Sequence, residues 1–144
     1  MAQSDWVFNI ESEIYTIVKT RLNTDLKTTY PSLLITQQQK LNDDTSLPAI
    51  FIKMLDSPEM GADLEGSTVN AMYVTFEVHI TIAKDGTNNG MSGLRKIGAA
   101  VLDNFKKLRF QMSTRGEITR ETSDTYSMIA RFSRIVAAGQ AINF

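Results

Sequence analysis

One segment of the sequence alternates apolar and polar residues for longer than an ordinary strand requires. Between Val69 and Ala83, apolar side chains at every second position are separated mainly by Tyr, Thr, Glu and His. A period of two is typical of a β-strand with one face on a hydrophobic core. At about 3.3 Å per residue, the eleven positions from Met72 to Ile82 cover roughly 36 Å, nearly twice the length of a typical strand. The pattern predicts a strand that extends beyond the hydrophobic core of its own domain.

Two amphipathic helices are predicted from apolar residues that recur every three or four positions. The first runs from Val7 to Leu26, and Tyr30-Pro31 is expected to close it because the residue before proline avoids helical geometry. The second carries its apolar stripe from Leu94 to Leu108. Apolar runs rich in strand-forming residues predict two more strands, 49–55 and Thr125 to Ala137. Residues 33–38 fit neither pattern.

The order of these elements favours an α+β fold. Strands clustered between helices are typical of a mostly antiparallel or mixed sheet, here of about four strands, with both amphipathic helices packed on one face. No linker or repeat divides the chain, so residues 1–144 are expected to form a single domain. The residues expected in the core are Phe76, Ile80, Val101, Phe105 and Phe132.

The composition narrows the chemistry that the chain can perform. There are 15 Lys+Arg against 16 Asp+Glu, which gives a net charge of -1 without the cationic excess that drives nonspecific binding to nucleic acid or anionic membranes. With no Cys and one His, thiolate zinc sites, cysteine nucleophiles and clusters of imidazole ligands are excluded. We therefore expect no catalytic set, no metal and no cofactor. Neither a membrane span nor a secretory leader is predicted, which favours synthesis in a cytoplasm.

Two glycine-containing segments between the predicted elements are candidates for contact with a protein partner, Asp56 to Thr68 and Lys84 to Ser92. Glycines let the backbone move, and one Met in each segment supplies an adaptable apolar anchor. The carboxylates of the first segment do not have the spacing of a calcium loop. The residues expected at the interface are Asp56, Glu59, Met60, Asp63 and Glu65, followed by Lys84, Asp85, Asn88, Asn89 and Met91.

The polar face of the long strand is a further candidate interface, formed by Tyr73, Thr75, Glu77 and His79. Because positions i and i+2 of a strand lie on one face, Glu77 and His79 are neighbours. An alternative interpretation joins them to Arg131 in a small-ligand or enzymatic site, since a carboxylate can orient a histidine base. A plain cross-strand or surface pair is the third interpretation.

From Val7 to Ala138, the size and order of the elements resemble the tail terminator proteins of long-tailed bacteriophages and the related tail-completion and head-tail joining proteins. The likeness lies in the arrangement of segments rather than in a short motif. The segments that carry it are the opening helix, the strand entry Leu47 to Ile52, the long strand Tyr73 to Ile82, the helix Gly93 to Leu108 and the returning strand Tyr126 to Phe132.

This resemblance implies a structural virion subunit and not an enzyme. Such subunits commonly form a six-membered homo-oligomeric ring on the end of the tail tube, where the ring stops tube growth and provides the interface for head attachment. The implied partners are copies of the chain itself, the tail tube protein and a head-completion or connector protein, while DNA passes through without being specifically bound. The implied location is the virion tail, after assembly in the host cytoplasm. A dimeric cytoplasmic domain with another partner and a two-layer enzyme are the alternatives.

Overall fold

The structure, a computed structural model, describes residues 5–37, 47–62 and 69–138. These residues form two helices and a seven-stranded mixed sheet, which confirms the α+β class, whereas the expectation of about four strands is wrong. In chain order the elements are α1 (Trp6–Leu26), β1 (Leu34–Thr36), β2 (Ala49–Met54), β3 (Glu59–Ala62), β4 (Val69–Ala83), α2 (Gly90–Lys107), β5 (Gln111–Arg115), β6 (Thr119–Thr122) and β7 (Thr125–Ala137).

The centre of the sheet is the antiparallel pair of its two longest strands. β4 and β7 pair continuously, from Ala71 opposite Ala137 to Ala83 opposite Thr125. Both strands have the bounds that the alternation in the sequence predicts. One face of each strand carries the buried apolar side chains that pack under the helices, and the alternate positions point away from the helices.

Short strands flank the central pair on both sides. β2 and β3 pair one after the other along the same side of β4, while β5 and β6 pair one after the other along β7. β1 adds to β2 in parallel, so the main path through the sheet is β1-β2-β4-β7-β5. The prediction of one loop from Asp56 to Thr68 is therefore wrong for Glu59–Ala62, which form β3; residues 63–68 lie outside the described residues.

The two helices lie on the same side of the sheet. α1 buries every fourth residue, and α2 packs against α1, β4, β5 and β7. α1 ends at Leu26, four residues before Tyr30, whose backbone N–H donates to the carbonyl of Leu26 at 2.8 Å. α2 begins at Gly90, so Met91 belongs to its first turn and the prediction that the connecting loop extends to Ser92 is wrong.

An aromatic cluster fills the core between α2 and the central strands. All five residues predicted to be in the core are fully buried. Phe105 of α2 stacks on Phe132 of β7 with ring centroids 4.5 Å apart. Phe110 completes the cluster edge-on to Phe76 and Phe105. Its position depends on Arg109, whose φ of 67° turns the chain back toward the sheet after α2.

Candidate functional site

The face of the sheet that points away from the helices gathers charged, aromatic and aliphatic side chains. Directly opposed residues of neighbouring strands share a face, so the pairing places Lys53, Glu77 and Arg131 side by side in one row. We call this surface the outer face. Its members from β2, β4 and β7 are Phe51, Lys53, Tyr73, Thr75, Glu77, His79, Ile129, Arg131, Ser133 and Ile135.

Glu77 is the centre of a charged cluster on the outer face. Its Oε2 accepts a hydrogen bond from Nε of Arg131 at 2.8 Å, and its Oε1 lies 2.6 Å from Nε2 of His79 and 3.7 Å from Nζ of Lys53. The carboxylate is buried under these three side chains and is only 6% exposed. Three neighbouring strands are therefore connected through one side chain.

The carboxyl group of Glu77 is held in its ionised form. Burial raises its pKa, but the hydrogen bonds from His79 and Arg131, together with the charges of those residues, outweigh burial, so the net pKa is lowered. An ionised carboxylate only accepts hydrogen bonds, so the Nε2–H of His79 must be the donor between them. With Lys53 and Arg131 against one Glu, the cluster carries a net positive charge.

Apolar and hydroxyl-bearing side chains surround the charged cluster. Tyr73, Ile129 and Ile135 are 40%, 39% and 51% exposed. On the same face, the hydroxyls of Thr75 and Ser133 lie 2.9 Å apart in a hydrogen bond. The outer face thus combines exposed large apolar groups with a half-exposed arginine, which is a composition typical of protein interfaces.

The structure brings together the three residues of the alternative ligand or enzyme site, Glu77, His79 and Arg131. Both carboxylate oxygens of Glu77 already accept hydrogen bonds or face cations, and its lowered pKa opposes a role as a proton donor. The Nε2–H of His79 is committed to the same carboxylate. The geometry is that of an ion-pair network that ties strands together and presents cations at the surface.

The two predicted contact segments lie at opposite ends of β4. Met60 of β3 is opposite Ala71 near the beginning of β4, whereas Lys84 directly follows its end, about 40 Å away along the strand. Asp56 is exposed in the connection between β2 and β3, and Glu59 is exposed in β3. Asp63 and Glu65 lie outside the described residues. The structure therefore separates the predicted loop residues into two distant groups.

The second group is a turn held by specific hydrogen bonds. The hydroxyl of Tyr30 donates to the carbonyl of Asn88 at 2.8 Å, and Nδ2 of Asn89 donates to the carbonyl of Asp85 at 2.8 Å. Burial raises the pKa of Tyr30, which keeps that hydroxyl protonated. The backbone N–H of Lys84 donates to Asp124, which connects this turn to the turn between β6 and β7.

Sequence reasoning missed Lys53, Phe51, Ile129 and Ile135 as members of the outer face. The position of Lys53 depends on how β2 aligns with β4, and a single sequence does not contain that alignment. For Ile129 and Ile135 a signal was present, because they occupy the positions of β7 between its core-facing residues. Apolar residues at such positions indicate a strand with partners on both faces.

Within residues 5–37, 47–62 and 69–138, no three metal-ligating side chains are grouped as in a metal site. No helix in this part of the chain is long and apolar enough to cross a bilayer. No family model and no curated protein matches the sequence.

Proposed function

We propose that this chain is a structural subunit of a bacteriophage tail. Copies of it assemble as a ring, six-membered as in the family that the chain resembles, on the end of the tail tube. The ring stops growth of the tube and provides the surface to which the head attaches. The observation that carries this proposal is the outer face, where a continuous pair of long strands displays exposed apolar side chains beside a cationic cluster.

The outer face has the chemistry of a surface that is covered in an assembly. Large apolar side chains that cluster on one surface mark sites of protein contact more often than scattered ones do. Tyr73 and Ile135 are cross-strand neighbours, so their exposed groups form one patch. Arg131 lies two rows further along the same face, next to the exposed Ile129, and adds a group that is frequent at interfaces. We assign this face to contact with the other proteins of the tail.

The edges of the sheet suit contact between copies. In the described part of the chain, β1 lies at one side of the sheet and β5 at the other, and all five residues of β5 are exposed. Two different edges that meet make a heterologous contact, which closes into a ring when the rotation between copies permits. The two groups of predicted loop residues, at opposite ends of β4, then lie on opposite rims, one for the tube and one for the head.

The net charge of -1 is consistent with a channel that DNA crosses. A ring with a strongly basic lining would bind the phosphate backbone, because each phosphate neutralised by Lys or Arg adds to nonspecific affinity. The positive charge of the outer-face cluster is small and partly compensated by Glu77. The proposal therefore includes passage of DNA without specific binding.

One observation favours the alternative of a ligand or enzyme site, namely that Glu77, His79 and Arg131 meet within hydrogen-bonding distance. The two functions make different demands on Ile135, which lies two rows away from Glu77 and is half exposed. A ligand site at Glu77 does not need Ile135, whereas a protein interface on the outer face does.

The substitution Ile135→Lys tests the proposal, because a lysine in place of an exposed isoleucine leaves the core intact. The matched control is Thr28→Lys, at an exposed position after α1. Both variants should melt like the unchanged protein. We expect tails assembled with Ile135→Lys to be overlong or to lack heads, and tails assembled with the control to be normal. Normal tails with both variants would contradict the assignment of the outer face.

A further inference from the structure

We propose that neighbouring copies in the ring are joined by Phe8 of one copy, which enters an apolar cavity beside α2 of the next copy. This inference rests on the proposed ring and specifies the contact that builds it. It concerns the helical side of the subunit, away from the outer face.

Phe8 is an exception among the phenylalanines that the structure describes. It is 87% exposed, whereas the other phenylalanines in the described residues are at most 5% exposed. It lies two residues, or roughly 200° around the helix, from the buried Ile10 of α1, so its ring points away from the core. Asp5, three residues before it, lies on the same side of the helix, whereas Glu11, three residues after it, accepts a hydrogen bond from the backbone N–H of Met54 in β2 at 2.8 Å. The side chain of Asp5 makes no capping hydrogen bond.

The cavity lies between α2 and the β5 side of the sheet and has a volume of about 230 Å³. Its lining is apolar apart from Arg95 of α2 and Arg115 of β5. Neither arginine has an ion-pair partner among the described residues. The apolar side chains that form its inner wall are Ile80, Val101, Leu102, Met128 and Phe132.

The two surfaces are complementary in chemistry. An apolar cavity with a few placed polar groups is the usual form of a binding pocket, and an aromatic anchor is its usual occupant at an interface. The carboxylate of Asp5 beside the ring matches the unpaired guanidinium groups at the cavity. A carboxylate-guanidinium contact is charge-assisted and often bidentate, so it fixes the orientation of the inserted ring.

The fold places the two surfaces on different sides of the subunit. α1 packs against β2, toward one edge of the sheet, whereas the cavity is bordered by β5 at the other edge. Separation of the ring and the cavity toward different edges of the sheet favours contacts in which each copy uses one edge to meet the other edge of the next copy. Such a contact is heterologous, and repeated copies close into a ring or continue as a filament.

Cross-linking tests this contact directly, because the chain contains no Cys. Phe8→Cys and Ala99→Cys, the latter at the cavity lining, are prepared as separate proteins and mixed with a short bismaleimide in the presence of tail tubes. We expect dimers that contain one copy of each variant. Thr28→Cys, after the other end of α1, replaces Phe8→Cys in the control mixture and should give none. Equal dimer yields from the two mixtures would overturn the inference.

The variant Phe8→Ser distinguishes failure of the Phe8 contact from failure of the proposed ring. We expect the variant to melt like the unchanged protein but to remain a single chain under conditions in which the unchanged protein forms rings. Asp5→Arg should also prevent assembly, and Arg115→Glu in the same chain should restore it. Rings formed by Phe8→Ser at the normal yield would overturn the inference and leave the ring itself intact. Absence of rings from the unchanged protein, alone and with tubes, would overturn both.

Discussion

Arg131 and Glu77 face each other across the two longest strands, with Nε of Arg131 donating to Oε2 of Glu77 at 2.8 Å. The carboxylate is buried and the guanidinium is half exposed. The pair therefore connects β4 to β7 and at the same time presents a cation on the outer face. Its structural and functional effects can be separated by experiment.

Replacing the buried charge should destabilise the fold. In Glu77→Gln the amide keeps the shape of the side chain but leaves three basic side chains without their shared carboxylate. We expect a loss of about 1.5–3 kcal/mol in the free energy of unfolding, the usual contribution of hydrogen bonds to a charged group. Urea denaturation measures it. Glu13→Gln, on the exposed side of α1, is the control, and equal stabilities for the two variants would contradict the role of the cluster.

The lowered pKa of Glu77 should make the stability of the fold depend on pH. The pKa of Glu77 is lower in the folded chain than its ordinary value of 4.5. The ionised carboxylate therefore stabilises the fold fully well above pH 4.5, and this stabilisation is lost as the pH falls through the folded pKa. The unchanged protein should therefore lose more stability below pH 4.5 than Glu77→Gln does. Denaturation curves at a series of pH values measure both slopes. Parallel slopes would show that Glu77 is not held ionised by its neighbours.

The length of each element decides whether its sequence pattern predicts it. β4, β7 and both helices were predictable because each repeats an apolar period long enough to be distinctive. β1, β3, β5 and β6 have three to five residues each and no alternation of that length. β3 forms along the free side of β4, β5 and β6 form along β7, and β1 forms along β2, because the backbone groups of those strands offer hydrogen bonds that the local sequence does not reveal. For this reason the sheet has more strands than the pattern predicted.

The candidate site was predictable in part for a related reason. Glu77 and His79 are two positions apart on one strand, so their proximity follows from strand geometry alone. The contact of Glu77 with Lys53 depends on the pairing of β2 with β4, which joins residues far apart in the chain. The separation of the loop residues into two groups, by contrast, follows from the predicted long strand, because one segment precedes β4 and the other follows it.

Replacement by alanine should change the stability of the fold differently at two glycines of α2. A methyl group at Gly93 would lie 2.0 Å from the carbonyl oxygen of Asn88, and backbone cannot easily move away. A methyl group at Gly98 would meet only the mobile end of Met128. We expect Gly93→Ala to cost about 1–3 kcal/mol and Gly98→Ala to be neutral or stabilising by up to about 1 kcal/mol. Thermal melting compares the two, and the reverse order would mean that α2 packs differently.

The aromatic cluster should dominate the stability of the core. Phe105→Ala removes the ring that stacks on Phe132 and leaves a cavity, for an expected loss of about 3–5 kcal/mol in the free energy of unfolding. Phe105→Leu keeps most of the volume and should cost less. Chemical denaturation of both variants provides the comparison. An unchanged midpoint for Phe105→Ala would show that this face of α2 is not buried.

The ring itself is the central claim, and the mass and shape of the purified protein test it most directly. Light scattering and negative-stain images are recorded for the protein alone and after addition of tail tubes. We predict particles with a central hole and about six times the mass of one chain, in solution or on one end of each tube. A single-chain mass at every concentration, together with tubes whose ends stay bare, would contradict the account.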